Sequence, residues 1–133
     1  EPKQELREQG VKIKLSVLKE IVKGKRVVMV DDSIVRGTTS RRIVEMIKEA
    51  GATEVHVRIA SPPVTHSCFF GIDTPFRRYL IGATKTVEEI KDFIKADSVY
   101  YLSLKGLIES TGDEGFCIAC LNGDYPMEVP NFD

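Results

Sequence analysis

The 133-residue chain is 42% hydrophobic and 29% charged, with 19 Lys and Arg against 20 Asp and Glu. That length suits one domain, and the apolar content is enough for a core, which excludes a disordered chain. A net charge of -1 excludes the basic excess of a dedicated nucleic-acid binder, and no run of about eighteen apolar residues exists to span a membrane.

The charge is unevenly spread. Residues 1–26 hold eight Lys or Arg against four Glu, whereas Ser110 to Asp133 carries five acids and no base. Chain order begins with the basic stretch, residues 1–25, in which Leu15, Leu18, Ile21 and Val22 make the apolar stripe of an amphipathic lead-in helix. Arg26 to Asp31 (R-V-V-M-V-D) is a β-branched run without alternation, which predicts a strand buried on both faces, as in a parallel sheet. Thr39 to Ala50 places Ile43, Met46, Ile47 and Ala50 at helical spacing, and Gly51 stops the helix. Glu54 to Ala60 alternates Val55, Val57 and Ile59 with polar residues and predicts a second strand, with His56 on its solvent side. Strand, helix and strand within ~35 residues make a βαβ unit.

Thr86 and Glu89 have the spacing of a capping box, and the helix they open is expected to bury Val87, Ile90, Phe93 and Ile94. Ser98 to Leu102 reads as a third strand and Leu104 to Ile108 as a short helix. The fold class is therefore α/β, a mostly parallel sheet flanked by helices. The expected organisation is a lead-in segment over 1–25, an α/β core over 26–111 and an irregular acidic, cysteine-containing tail with little core over 112–133.

The segment richest in chemistry is V-V-M-V-D-D-S-I-V-R-G-T-T-S, Val27 to Ser40. Ligands of open α/β sheets bind beyond the carboxyl ends of the strands, where Asp31 and Asp32 fall. Two carboxylates ~4 Å apart repel by roughly 4 kcal/mol at an effective dielectric near 20. Vicinal hydroxyls or a hard cation such as magnesium would relieve that repulsion. The loop that follows supplies the opposite chemistry. Gly37 permits close backbone approach, Ser33, Thr38 and Thr39 add hydroxyl donors, and Arg36 adds a cation. The helix N-terminus adds free N–H groups and the positive end of its dipole. Together they suit a sugar with free hydroxyls that carries a phosphate; the plainer alternative is an Asp-Asp-Ser run that only caps a helix. Neither a Walker loop nor a G-x-G-x-x-G dinucleotide loop is present.

Cys117 and Cys120 form a lone C-x-x-C, and Cys68 precedes them. Such a set is compatible with zinc, an iron–sulfur cluster or a redox pair, and His66 would complete a Cys-Cys-Cys-His zinc site. Three is an odd number for a disulfide framework and suits a reducing, cytoplasmic setting better. Arg77 and Arg78 read as a solvated pair, with a second phosphate as the alternative.

The Asp-Asp segment resembles the phosphoribosylpyrophosphate (PRPP) signature of type I phosphoribosyltransferases. D-S-I-V-R-G-T-T resembles, within that family, the glutamine PRPP amidotransferases. The likeness continues through G-A-T-E-V-H-V-R-I-A-S-P-P, C-F-F-G-I-D-T-P, V-E-E-I…I-K-A-D-S and C-I-A-C-L-N-G-D-Y-P. It implies the C-terminal part of a type I phosphoribosyltransferase domain, with Asp31 and Asp32 on the ribose hydroxyls and the magnesium of bound PRPP. It further implies that Ser33, Val35, Arg36, Gly37, Thr38 and Thr39 hold the 5′-phosphate. The basic stretch around Arg7, Lys12 and Lys14 resembles the family's flexible loop, and Lys12 and Lys14 are its candidates for covering the leaving pyrophosphate.

Cys68, Cys117 and Cys120 match three ligands of the four-iron four-sulfur cluster in the iron–sulfur branch of the family, whose fourth ligand would lie upstream. The resemblance implies formation of 5-phosphoribosylamine, pyrophosphate and glutamate from PRPP, glutamine and water, the first step of purine synthesis. It also implies binding of purine nucleotides, association of identical chains, and an N-terminal glutaminase and upstream transferase segments beyond Glu1. The isolated chain is then not expected to use glutamine. Two rival readings are a PRPP- or nucleotide-sensing regulatory module of the same fold, and a zinc-stabilised binding module.

Overall fold

A computed structural model describes residues 19–112 and 115–130. Residues 19–22 are helical, and of the two stripe residues described there Val22 is buried whereas Ile21, expected on the same apolar face, is exposed. The elements that follow are β1 (Arg26–Asp31), α1 (Thr38–Glu49), β2 (Glu54–Ile59), a 3₁₀ turn (Arg77–Tyr79), α2 (Ile81–Thr84), α3 (Val87–Ile94), β3 (Ser98–Tyr101), α4 (Leu104–Thr111) and α5 (Ala119–Asn122). The three strands form one parallel sheet in the order β1-β2-β3, with Val27 opposite Val55 and Val57 opposite both Met29 and Val99.

That register decides what each face does. Val27, Met29, Val55, Val57, Ile59 and Val99 share one face, and α1 and α3 pack on it through Val44, Ile47, Ile90 and Ile94. Val44, Val55, Val57, Ile90 and Ile94 are almost entirely shielded from solvent. Each such aliphatic side chain contributes about 1.5–3 kcal/mol through burial.

The opposite face corrects the expectation that β1 is buried on both sides. Val28 is 60% and Val30 72% exposed, beside an exposed Tyr100. An apolar run shows that a strand tolerates cover on both faces, but cover has to be supplied by another element. Among the described residues none lies there. Polar contacts occupy the rest of that face. Glu54 takes Arg26 Nε at 2.9 Å and His56 Nε2 at 2.7 Å, His56 Nδ1 shares a hydrogen bond with Ser98 Oγ, and the Arg58 guanidinium lies 4.6 Å over the Tyr100 ring. His56 thus stands on the open face as expected, but bonded rather than free.

Thr86 caps α3 with the expected reciprocal pair: Glu89 N–H donates to Thr86 Oγ1, and Thr86 N–H donates to Glu89 Oε2 at 2.7 Å. Ile90 and Ile94 are buried and Phe93 is half-buried, whereas Val87, expected inside, is 40% exposed. It sits in the first turn, where the helix has yet to meet the sheet. The tail is more ordered than its composition suggests. It holds α5, and Ala119 is buried.

Asp97 ties α1 and β2 to β3. Its Oδ2 accepts the Val55 N–H at 2.7 Å and lies 3.3 Å from Lys48 Nζ. The Val55 N–H bond, with Lys48 adding to it, holds the carboxyl below its ordinary value of 3.8. A carboxyl depressed in the fold stabilises the protein above its unfolded pKa, and the contribution is lost as pH falls through the lower folded value. Asp97→Ala should therefore lower the urea midpoint at neutral pH and flatten the acid limb of the stability profile. Parallel profiles for variant and parent would refute this role.

Candidate functional site

The carboxyl end of β1 runs into Asp31 and Asp32, and the chain then turns through 33–37 into α1. β1 ends at Asp31, and Asp32 stands in the bend that follows. Asp31 Oδ1 accepts the Asp32 N–H at 3.0 Å, and Asp32 Oδ1 accepts Ser33 Oγ–H at 3.1 Å. The loop is pinned from below. Ile34 is inserted into the core at 2% exposure, and the Val35 carbonyl accepts the Ile81 N–H at 2.9 Å.

Gly37 is the residue before α1 and has φ of 77°. A Cβ there would lie 2.8 Å from Ile81 Cδ1 and 3.1 Å from Phe93 Cε1, so both the turn and the packing require glycine. No side chain caps α1 and no acid occupies its first turn. The first intrahelical bond from Arg41 N–H to Gly37 O leaves the preceding N–H groups and the dipole's positive end available to an anion.

All eight residues that the sequence marks for the ligand line one cavity of about 550 Å³: Asp31, Asp32, Ser33, Val35, Arg36, Gly37, Thr38 and Thr39. The lining thus combines carboxylates with hydroxyl, backbone and guanidinium donors. Ser40, Asp73 and Pro75 complete the lining. Asp73 and Pro75 belong to the C-F-F-G-I-D-T-P motif but are not marked for the ligand by the sequence, because they arrive from a loop more than thirty residues further along the chain. The Arg36 guanidinium lies 5.6 Å above the Tyr79 ring. Arg78 stacks on Phe76 and Tyr79, and Arg77 Nε–H donates to the Thr65 carbonyl at 3.0 Å. The two arginines are therefore engaged within their own loop. Arg7, Lys12 and Lys14 lie outside the described residues.

Cys68, Cys117 and Cys120 are free thiols. Burial pushes the Cys120 thiol up, and neighbouring Cys68 and Cys117 push it the same way. The Phe70 N–H points at Cys68 Sγ at 3.4 Å. Among the described residues, no three His, Cys, Asp or Glu side chains gather closely enough to hold a metal ion. His66 does not complete a zinc tetrahedron. Its Nδ1 shares a hydrogen bond with Thr65 Oγ1 at 2.9 Å, and its Nε2 backs onto Gly123. The imidazole is a packing element. A four-iron cluster spreads its thiolates across a cube, farther apart than around one zinc ion, and thiolates are its usual ligands. The donor set fits that group by its chemistry.

The parallel sheet, the acid pair at the strand end and the glycine turn into an uncapped helix define a phosphoribosyltransferase-type α/β fold. A sequence model described as the phosphoribosyl transferase domain matches residues 2–61. Over 97% of its length the chain is 56% identical to the amidophosphoribosyltransferase of Bacillus subtilis, of which it covers 28%. It is 57% identical to that of Archaeoglobus fulgidus, covering 29% of it. Among solved structures, it matches the glutamine PRPP amidotransferase from B. subtilis complexed with ADP and GMP at a TM-score of 0.80 and 51% identity. That superposition covers 99% of this chain and 30% of the relative. The chain thus spans less than a third of the length of these relatives.

Proposed function

We propose that this chain supplies the ribose-5-phosphate site of an amidophosphoribosyltransferase, the enzyme that converts PRPP, glutamine and water to 5-phosphoribosylamine, pyrophosphate and glutamate. The observation that carries the reading is the single cavity that joins an acid pair to a phosphate-type helix N-terminus. Asp31 and Asp32 accept the ribose hydroxyls. Thr38, Thr39, Ser33 and the loop N–H groups surround the 5′-phosphate, with Val35, Gly37 and Arg36 shaping the cradle. Magnesium, carried in with PRPP, would share the carboxylates and neutralise pyrophosphate charge.

Held at both ends, the sugar presents its anomeric carbon to ammonia. The nitrogen lone pair forms the new C–N bond, the C–O bond to pyrophosphate breaks, and one N–H proton passes to solvent. This chain's contribution is orientation and charge, which in well-aligned sites supply several kcal/mol of the barrier reduction. Lys12 and Lys14 are proposed to cover the leaving pyrophosphate.

We further assign Cys68, Cys117 and Cys120 to a structural four-iron four-sulfur cluster whose fourth ligand comes from outside this chain. Purine nucleotides are proposed as further ligands, supported by the solved relative complexed with ADP and GMP. Association of identical chains in a cytoplasmic setting completes the reading. No helix among the described residues is long and apolar enough to cross a membrane.

The test uses the longer protein that contains this chain, supplied with magnesium, PRPP and free ammonium. Pyrophosphate release that depends on ammonium is expected. Tight PRPP binding without release would favour the sensing module instead.

A further inference from the structure

We propose that Tyr125 is a positioning residue that clasps the C-terminal tail onto the Cys68 loop, and so sets the Cys68 and Cys120 thiols in register before any metal is bound. The consequence for a cluster rests on the iron–sulfur reading above; the clasp itself does not. The two segments are far apart in sequence. Tyr125 Oη nevertheless donates to the Ser67 carbonyl at 2.7 Å, across 58 positions. Its ring meets Phe69 edge-on with centroids 5.4 Å apart, leans on Phe70 at 6.3 Å and stands at right angles to His66 at 6.4 Å. An aromatic residue two positions past a glycine turn thus covers the residues on both sides of Cys68.

The remaining contacts show what the clasp completes. The Thr65 and His66 N–H groups both donate to the Cys120 carbonyl, at 3.0 and 3.1 Å, and Thr65 Oγ1 donates to the Leu121 carbonyl. These bonds fix the start of the loop against the C-x-x-C turn. Beyond Cys68 the loop is closed on itself: Cys68 N–H donates to Thr74 Oγ1 at 2.7 Å, and Ser67 Oγ–H donates to the Pro75 carbonyl at 2.8 Å. Tyr125 extends this attachment past Cys68, joining the closed loop to the tail downstream of Cys120. Gly123 makes the approach possible. Its φ is 77°, and a Cβ would sit 2.7 Å from His66 Nε2.

The clasp converts two flexible thiol-bearing segments into one preformed surface, which lowers the ordering cost of metal binding. A tyrosine with no such role would leave thiol reactivity unchanged when its hydroxyl is removed.

The experiment compares the full chain, freed of metal, with Tyr125→Phe and Gly123→Ala. The readout is the rate at which an aromatic disulfide reagent labels Cys68 and Cys120. Tyr125→Phe keeps the ring and removes one hydrogen bond, so labelling should quicken by about five- to tenfold, the effect of losing one bond of ordinary net strength. Gly123→Ala should quicken it further. The thermal midpoint of the strands and helices, followed by far-ultraviolet circular dichroism, should fall in Tyr125→Phe by no more than roughly 5 °C, the effect of one such bond. After anaerobic loading with iron and sulfide, the same variant should bleach faster under a chelator.

Labelling at the parent rate in both variants would overturn the proposal. So would a fall in the thermal midpoint well beyond roughly 5 °C, the mark of general destabilisation rather than of an opened clasp. A parent chain that takes up iron and sulfide without visible absorbance would overturn the cluster reading, while the thiol rates would still decide for or against the clasp.

Discussion

Gly37→Ala is expected to lose about 2–5 kcal/mol of folding stability and most of the phosphate affinity. Two costs add. A non-glycine residue held in the left-handed region loses roughly 1–2 kcal/mol. The new methyl also meets Ile81 Cδ1 at 2.8 Å and the Phe93 ring at 3.1 Å. Ile81 is 4% exposed and packs in the main core, so the clash cannot be relieved by swinging into solvent. Overpacking of this kind costs about 1–3 kcal/mol. For a domain of this size the sum is a fall in Tm of roughly 7–18 °C.

Gly24→Ala is the matched control. It has nearly the same dihedral, φ 74°, but nothing within 4 Å of the added carbon. It should lose only the backbone part and leave inorganic phosphate binding intact. If the two variants behave alike in both calorimetry and phosphate titration, the close approach at Gly37 has no role in shaping the cradle.

The contrast between these glycines also marks how far the sequence is legible. Positive φ at a strand-to-helix turn is written locally, in Arg36-Gly37-Thr38, and so are the strand bounds, the helix phases and the Thr86–Glu89 capping box. Each depends on residues within one or two turns of one another. The acid pair and the uncapped helix were legible for the same reason, since a dozen consecutive residues carry both halves of the ligand chemistry. What was not legible depends on distant partners. Asp73 and Pro75 enter the cavity from another loop, and their motif, C-F-F-G-I-D-T-P, does not show that it folds against Asp31–Thr39. The open face of β1 was misread because Val28 and Val30 encode apolar character, and only the rest of the fold decides whether a layer covers it. The tail looked irregular by its Gly, Pro and acid content, yet Tyr125 bonds to the Ser67 carbonyl and Ala119 is buried. His66 was weighed as a zinc ligand because spacing cannot show that Thr65 and Gly123 already occupy its ring.

Asp32→Asn should weaken binding of magnesium–PRPP by about 30- to 100-fold, and the double variant with Asp31→Asn by several hundredfold, in titration calorimetry. A hydrogen bond to a charged acceptor contributes roughly 1.5–3 kcal/mol, and each carboxylate is assigned one ribose hydroxyl. Asparagine preserves the size of the side chain and one acceptor oxygen, so the loop should keep its shape. Asp31 Oδ1 would still receive the Asp32 N–H that it accepts at 3.0 Å. The sign of the effect is the informative part. PRPP is a polyanion, and two carboxylates in the same cavity repel its phosphates at any dielectric. If the acids made no contact with hydroxyls or magnesium, neutralising them would remove that repulsion and tighten binding. Inorganic phosphate, which reaches only the helix end of the cavity, should bind Asp32→Asn at least as well as the parent. Weaker PRPP binding together with unchanged or stronger phosphate binding therefore places the acids on the sugar. Tightening of both ligands would remove the acids from the site and leave only the phosphate cradle standing.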